Sequence, residues 1–154
     1  MFYCITCISF VSLFMIRKYK LLTKGGIMNQ EANKVDWQMV EALQSYKKKM
    51  VEDYKNWTIG KGEATEDKNK RIEDFDKGIK LEKTQLYWKV LNTDINGTSK
   101  SVHSFIVKED KVIRGIARKR GDILKAASWS SPAHNFIRGN ILGDYKVRWV
   151  GTAI

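Results

Sequence analysis

Apolar residues recur at helical spacing in the first part of the chain and at a spacing of two in its second half. Trp37, Val40, Leu43, Met50, Tyr54 and Trp57 stand three, four or seven positions apart, which predicts an amphipathic helix over 34–57. Asp36 is placed to cap its start, and Gly60 and Gly62 to end it. Residues 60–83 are densely charged with both signs, the composition of a solvated face or linker. Within them Ile72, Phe75 and Ile79 make a narrow stripe, so a weaker helix is expected over 65–77, stopping near Gly78.

From residue 85 the pattern alternates. Gln85–Asn92 reads as a strand, with Leu86, Trp88 and Val90 on one side. Thr93–Thr98 is turn chemistry around the Asn96-Gly97 pair. Ser101–Lys108 is the next strand, with His103, Phe105 and Val107 on one face and Val102, Ser104 and Ile106 on the other. Asp122–Trp129, Phe136–Leu142 and Tyr145–Val150 are the remaining strand candidates. The expected fold is α+β: an N-terminal amphipathic helix and a charged second helix packed on a small antiparallel sheet of four or five strands, or a partly open barrel. Trp37, Val40, Leu43 and Tyr54 are expected to cover one face of the sheet.

Residues 1–27 change the picture of where the protein starts. Lys24-Gly25-Gly26 can be encoded as AAAGGAGGN, a purine-rich ribosome-binding sequence, with Ile27 as spacer and Met28 as the start codon. The expected organisation is therefore a translated leader over 1–27, a helical and charged segment over 28–84 and a β-rich domain over 85–154. The alternative for 1–27 is a signal anchor built on the apolar run Phe2–Ile16. That run is shorter than a bilayer-spanning helix, and its basic residues follow it rather than precede it. With Met28 as the start, the expected location is the cytoplasm of a host cell, without membrane contact; with residues 1–27 retained, it is membrane-anchored.

Losing Arg17, Lys18, Lys20 and Lys24 with the leader lowers the net charge from +11 to +7. That still favours a polyanionic partner: DNA, RNA or an acidic host protein. The densest basic stretch is a loop expected between Lys111 and Lys125, with Lys111, Arg114, Arg118, Lys119, Arg120 and Lys125 against Asp122. These six, with Arg138 and Arg148 as secondary contacts, are the candidate nucleic-acid-binding residues. Trp129, Phe136, Tyr145 and Trp149 are the candidate stacking rings. The plainer alternative places these rings in the core and leaves the basic loop solvated.

Nothing points to catalysis or a cofactor. Cys4 and Cys7 form a C-x-x-C in the leader with no second pair to complete a tetrahedral site. The chain has no phosphate-binding glycine loop and no dinucleotide fingerprint. His103 and His134 are the only histidines, and neither is followed two residues on by the hydroxyl of a two-histidine phosphoesterase, since Phe105 and Phe136 stand there. A small enzyme using either histidine ranks last. Asn96-Gly97-Thr98 matches a glycosylation sequon, which a bacterial type of start signal argues against.

Ser101-Val102-His103-Ser104-Phe105-Ile106-Val107, Gly121-Asp122-Ile123-Leu124-Lys125-Ala126-Ala127-Ser128-Trp129, Pro132-Ala133 and Arg138-Gly139-Asn140 together resemble a pattern of small phage-encoded proteins of unassigned activity. Their pattern reads SVHxFV, GDxxKAASW, PA and RGN. The resemblance covers residues 85–152 and departs at Glu109–Arg120, which is longer and more basic than the tight turn of the group. It implies a phage setting and no particular chemistry; with the basic stretch and the absence of a catalytic motif, the expected function is a small non-enzymatic phage accessory protein that binds nucleic acid through the basic loop, the alternative being a protein-binding module that inhibits or redirects a host factor.

Overall fold

In the computed structural model the described backbone covers residues 30–152, and the described side chains 37–152. Cys4, Cys7 and the expected leader lie outside the described residues. Helix α1 (Gln30–Ile59) is followed by α2 (Glu66–Gly78). The strands are β1 (Ile79–Lys83), β2 (Tyr87–Thr93), β3 (Lys100–Val107), β4 (Lys111–Ile113), β5 (Ile116–Arg118), β6 (Ile123–Lys125), β7 (Val147–Arg148) and β8 (Gly151–Thr152). β1, β2, β3 and β6 make one antiparallel sheet in that order, while β4–β5 and β7–β8 are separate hairpins. The fold is α+β, and of the two arrangements anticipated the small antiparallel sheet is the one realised.

α1 begins before Asp36, so Asp36 lies inside the helix instead of capping it. It ends at Gly60, whose φ of 57° and amide bond to the Asn56 carbonyl form a left-handed cap. Its buried stripe is Met39, Leu43, Tyr46 and Met50, spaced four, three and four. Trp37, Val40 and Trp57, expected in that stripe, are 51%, 39% and 64% exposed. Leu43 and Met50 belong to both stripes. What selects between Val40 and Met39 is Tyr46, whose hydroxyl must reach polar partners on the sheet.

α2 is capped by Thr65, whose hydroxyl oxygen accepts the Lys68 amide, with Glu66 and Asp67 in its first turn where the helix dipole favours them. Lys47 on α1 pairs with Asp76 on α2 at 3.0 Å. At Gly78 a Cβ would overlap the Thr93 carbonyl, so the chain can pass from α2 into the sheet edge only with glycine there. β1 follows directly. Its alternation, with Ile79 buried and Lys80 exposed, lay hidden in the charged stretch expected to be helix and linker.

The α1 stripe meets Ile79, Val90, Ile106 and Ile123, one residue from each strand of the sheet, together with Ile141. Fully burying a side chain of this kind is worth about 1.5–3 kcal/mol. The opposite face gathers Tyr87, Phe105, Val107 and Leu124, with Val102, Ile113 and Ala126 against them. The β2–β3 register breaks once: Val90 faces Ser104, and Leu91 faces Val102. His103 is the extra residue of this β-bulge. The face assignment of β3 therefore changes there: Val102 packs with Phe105 and Val107, while His103 joins Ser104 on the α1 side.

Three expected strands are shorter or different. The expected loop Lys111–Lys125 holds the hairpin β4–β5 and then β6. Arg114 (φ 54°) and Gly115 (φ 76°) make its two-residue turn, the left-handed pair that matches strand twist. Asp122–Trp129 is strand only over β6, because Ser131 draws the chain back: its carbonyl accepts the Ala127 and Ser128 amides. Phe136–Leu142 is not a regular strand. It runs along the outer edge of β6 through Arg138 N–H to the Ile123 carbonyl and Ile123 N–H to the Gly139 carbonyl. Gly139 (φ 120°) breaks it, since a Cβ there would stand 2.8 Å from Tyr145 Cβ. Tyr145–Val150 is likewise split, into the hairpin β7–β8.

Candidate nucleic-acid interface

The bulge at His103 brings the His103 ring to the wall of a cavity. Nε2 of His103 lies 2.8 Å from the Arg148 carbonyl, which can only accept, so Nε2 carries the proton. Nδ1 is then an acceptor, 3.1 Å from the Ser104 hydroxyl, which in turn sits 3.1 Å from the Tyr46 hydroxyl. A directional chain results: Tyr46 O–H donates to Ser104, Ser104 O–H to His103, and His103 N–H to the backbone of β7. It ties α1, β3 and the β7–β8 hairpin together. Burial pushes the Tyr46 phenol well above its ordinary value. Burial also pushes the His103 imidazole below its ordinary value, with the Arg148 carbonyl partly opposing. Ser104 is fully buried, so it meets no substrate.

Beside this chain the β7–β8 hairpin leaves a groove of 720 Å³ against the end of β2, β3 and β6. Its polar lining includes Asn92, Ser101, His103 and Thr152, and its charged lining residues are Lys125 and Arg148. Lys125 reaches it because β6 pairs Lys125 with Ser104, which puts both on the α1 side of the sheet. Trp149 also lines it. Its amide is held by the Asp53 carboxylate at 2.9 Å, and its ring lies 5.2 Å from Tyr54 and 4.8 Å from Trp57. Tyr54 stacks on Phe75 at 4.1 Å. A second groove of 390 Å³ shares Asn92 and Ser101 with the first and continues past Tyr54, Phe75 and Arg71, but Asp74 and Asp94 also line it.

The eight basic residues singled out in the sequence are divided by the sheet. Lys125 and Arg148 share the groove on the α1 side. Arg118 lies on the other side: it shares the hairpin face of Ile113, which packs against Tyr87 and Phe105, and Arg114 stands at the turn of the same hairpin. Arg118 is buried and donates to the His134 carbonyl. Lys111 is exposed and faces Arg118 across the β4–β5 register. Lys119 pairs with Asp110 at 3.2 Å, and the Arg120 amide is held by the same carboxylate at 2.7 Å. Arg138 is half-buried, 5.5 Å from the Phe136 ring.

Of the four candidate rings, Trp129 and Phe136 are 50% and 61% exposed, whereas Tyr145 and Trp149 are half-buried. Trp129 covers the buried ammonium of Lys89, 3.8 Å from its ring centre. Sequence reasoning missed Tyr46, Ser104, Asn92 and Ser101. The buried pair His103-Ser104 was the available signal, but only the bulge turns both toward α1.

Among the described residues there is no cluster of three or more His, Cys, Asp or Glu able to hold a metal ion, and no helix long and apolar enough to cross a membrane. No curated protein and no solved structure matches the chain. Residues 23–153, a span that takes in both helices and the sheet, match the family of unknown function DUF7717, and the chain belongs to that family.

Proposed function

We propose that this protein is a non-enzymatic phage accessory protein that binds single-stranded nucleic acid in the groove between β3, β6 and the β7–β8 hairpin. The observation that carries this reading is the lining of that groove: two cations, Lys125 and Arg148, no carboxylate among the described lining residues, and the aromatic residue Trp149. Cations that track phosphates beside a ring that can stack on a base are the parts from which sequence-tolerant single-strand sites are made. Asn92, Ser101 and Thr152 add neutral donors and acceptors for base edges or sugar hydroxyls. Asp74 and Asp94 in the adjoining groove would repel phosphates and so mark the end of the site. The phage setting is supported by the resemblance of residues 85–152.

The test is fluorescence anisotropy with a labelled oligo-dT and oligo-U of about 12 nucleotides. Lys125→Gln with Arg148→Gln should weaken binding by about tenfold or more at low salt, while Lys119→Gln, whose charge is already paired, should change it by less than about twofold. Equal affinity of the double variant and the parent would overturn the reading.

A second reading, binding to an acidic host protein, is favoured by one observation. The β4–β5 hairpin exposes Val112 and Ile116 beside Lys111 and Arg114. A pull-down from host lysate that keeps a stoichiometric protein after nuclease treatment, and loses it with Val112→Ser and Ile116→Ser, would favour this reading over the first.

A further inference from the structure

The four-stranded sheet has one edge covered and the other open. Along the outer edge of β6 the Ile123 amide donates to the Gly139 carbonyl, and the Arg138 and Ala133 amides donate to the carbonyls of Ile123 and Lys125. β1, at the opposite edge, pairs only with β2 among the described residues. Its Lys80, Glu82 and Lys83 are exposed. The Thr84 amide donates to the Tyr87 carbonyl, so by alternation the hydrogen-bonded pairs of β1–β2 are Glu82 with Lys89 and Lys80 with Leu91. The residues between them turn their backbone outward. Leu81 and Lys83 present N–H and C=O, and Ile79 presents C=O, its amide being bonded to the end of α2. An open row of this kind is a template for another strand.

The side chains of β1 select which strand. Lys80 and Glu82 flank Leu81 and point to the face away from α1, since Ile79 and Leu81 pack on the α1 side. Neither has an ion-pair partner among the described residues. Lysines alone on an edge would repel a second strand. Here a lysine and a glutamate stand two apart, so β1 is complementary to an antiparallel copy of itself. With a twofold axis at Leu81, each Lys80 lies directly opposite Glu82 of the other copy. An axis at Lys80 or at Glu82 would set like charges against each other instead.

We propose that β1 is a dimerisation edge, and that its partner is β1 of a second copy of this chain, paired antiparallel about Leu81. Leu81 of each copy exchanges both backbone hydrogen bonds with Leu81 of the other, and each Lys83 amide donates to the Ile79 carbonyl across the axis. Lys80 and Glu82 fall at non-hydrogen-bonded pairs, where facing side chains come closest. The axis stands normal to the sheet, so two four-stranded sheets join into one of eight strands with both α1 helices on the same side. The Lys125–Arg148 groove, on β6 and the β7–β8 hairpin, takes no part in this pairing, so dimerisation is independent of the function of that groove.

The experiment is sedimentation equilibrium of the nuclease-treated full chain over a series of protein concentrations. The mass should rise from monomer toward dimer as concentration rises. Glu82→Lys and Lys80→Glu each set like charges opposite one another twice across the axis, and each should weaken dimerisation by about tenfold or more. Both positions are exposed, so circular dichroism should show an unchanged fold. Lys80→Glu combined with Glu82→Lys exchanges the charges and restores the match, so dimerisation should return to within about threefold of the parent. A monomer at every concentration would overturn the proposal. So would a dimer that both single variants leave intact, or a double variant that dimerises no better than the single ones.

Discussion

At His103 one additional residue in β3 reverses the side of the sheet toward which a ring points. The bulge costs a ladder position and returns three linked hydrogen bonds, each worth about 0.5–1.5 kcal/mol net. It also gives the protein a pH dependence. The folded imidazole titrates below its unfolded value of 6.5, so below that pH the unfolded chain binds the extra proton more readily than the native one. The contribution of His103 is thus present above about pH 6.5 and is lost as pH falls from there toward the folded value. Urea midpoints should drop between pH 7 and pH 5 in the parent and drop less in His103→Gln. An identical drop in both would show that His103 is not the titrating group. Other residues of the SVHxFV…RGN pattern also have structural work. Asp122 accepts the Lys119 amide at 2.7 Å and Asn140 Nδ2 at 3.0 Å, and Asn140 Oδ1 accepts the Leu142 amide at 2.8 Å. Gly121 (φ 88°) leaves room for Asn140, which a Cβ would overlap. These contacts hold the 138–142 segment against β6.

At the scale of elements, α1 shows the limit of reading a helix from spacing. Several apolar positions are compatible with one helical face, and two stripes share Leu43 and Met50. The packed stripe makes a direct prediction. Met50→Ala, at a fully buried position, should cost about 2–5 kcal/mol. Val40→Ala should cost less than about 0.5 kcal/mol, as exposed substitutions do. Chemical denaturation of the two variants measures both, and comparable losses would mean that the helix presents a different face. The β4–β5 hairpin is a second instance. Its turn signal is Arg114-Gly115 rather than Asn-Gly, and its basic residues disguised two three-residue strands as a loop.

For the whole molecule, the net charge of +11 describes no single surface. The sheet separates Lys125 and Arg148 from Arg114 and Arg118, and Asp110 draws in Lys119. Binding through the groove alone therefore engages few phosphates. The slope of log affinity against log salt for a single strand should be about −1.4, the value for two neutralised phosphates. A slope near −4 or steeper, from titrations at several salt concentrations, would mean that both faces contact the strand.

The local pattern carried much of this protein. Helical spacing in 34–57, the extent of α2 and its stop at Gly78, alternation in β2 and in most of β3, and the Asn96-Gly97 turn are legible because each depends on neighbours within a few residues. The α+β class followed from those elements. The tertiary structure alone decided which stripe of α1 is buried, that β1 exists within a charged stretch, that His103 faces α1, and that the basic residues part company. Each of these depends on strand register and on partners far along the chain: Tyr46 with Ser104, Lys125 with Ser104, and His103 with Arg148. Periodicity tells which residues share a side of an element. Only the hydrogen-bonded pairing of distant strands, with its one bulge, tells what that side meets.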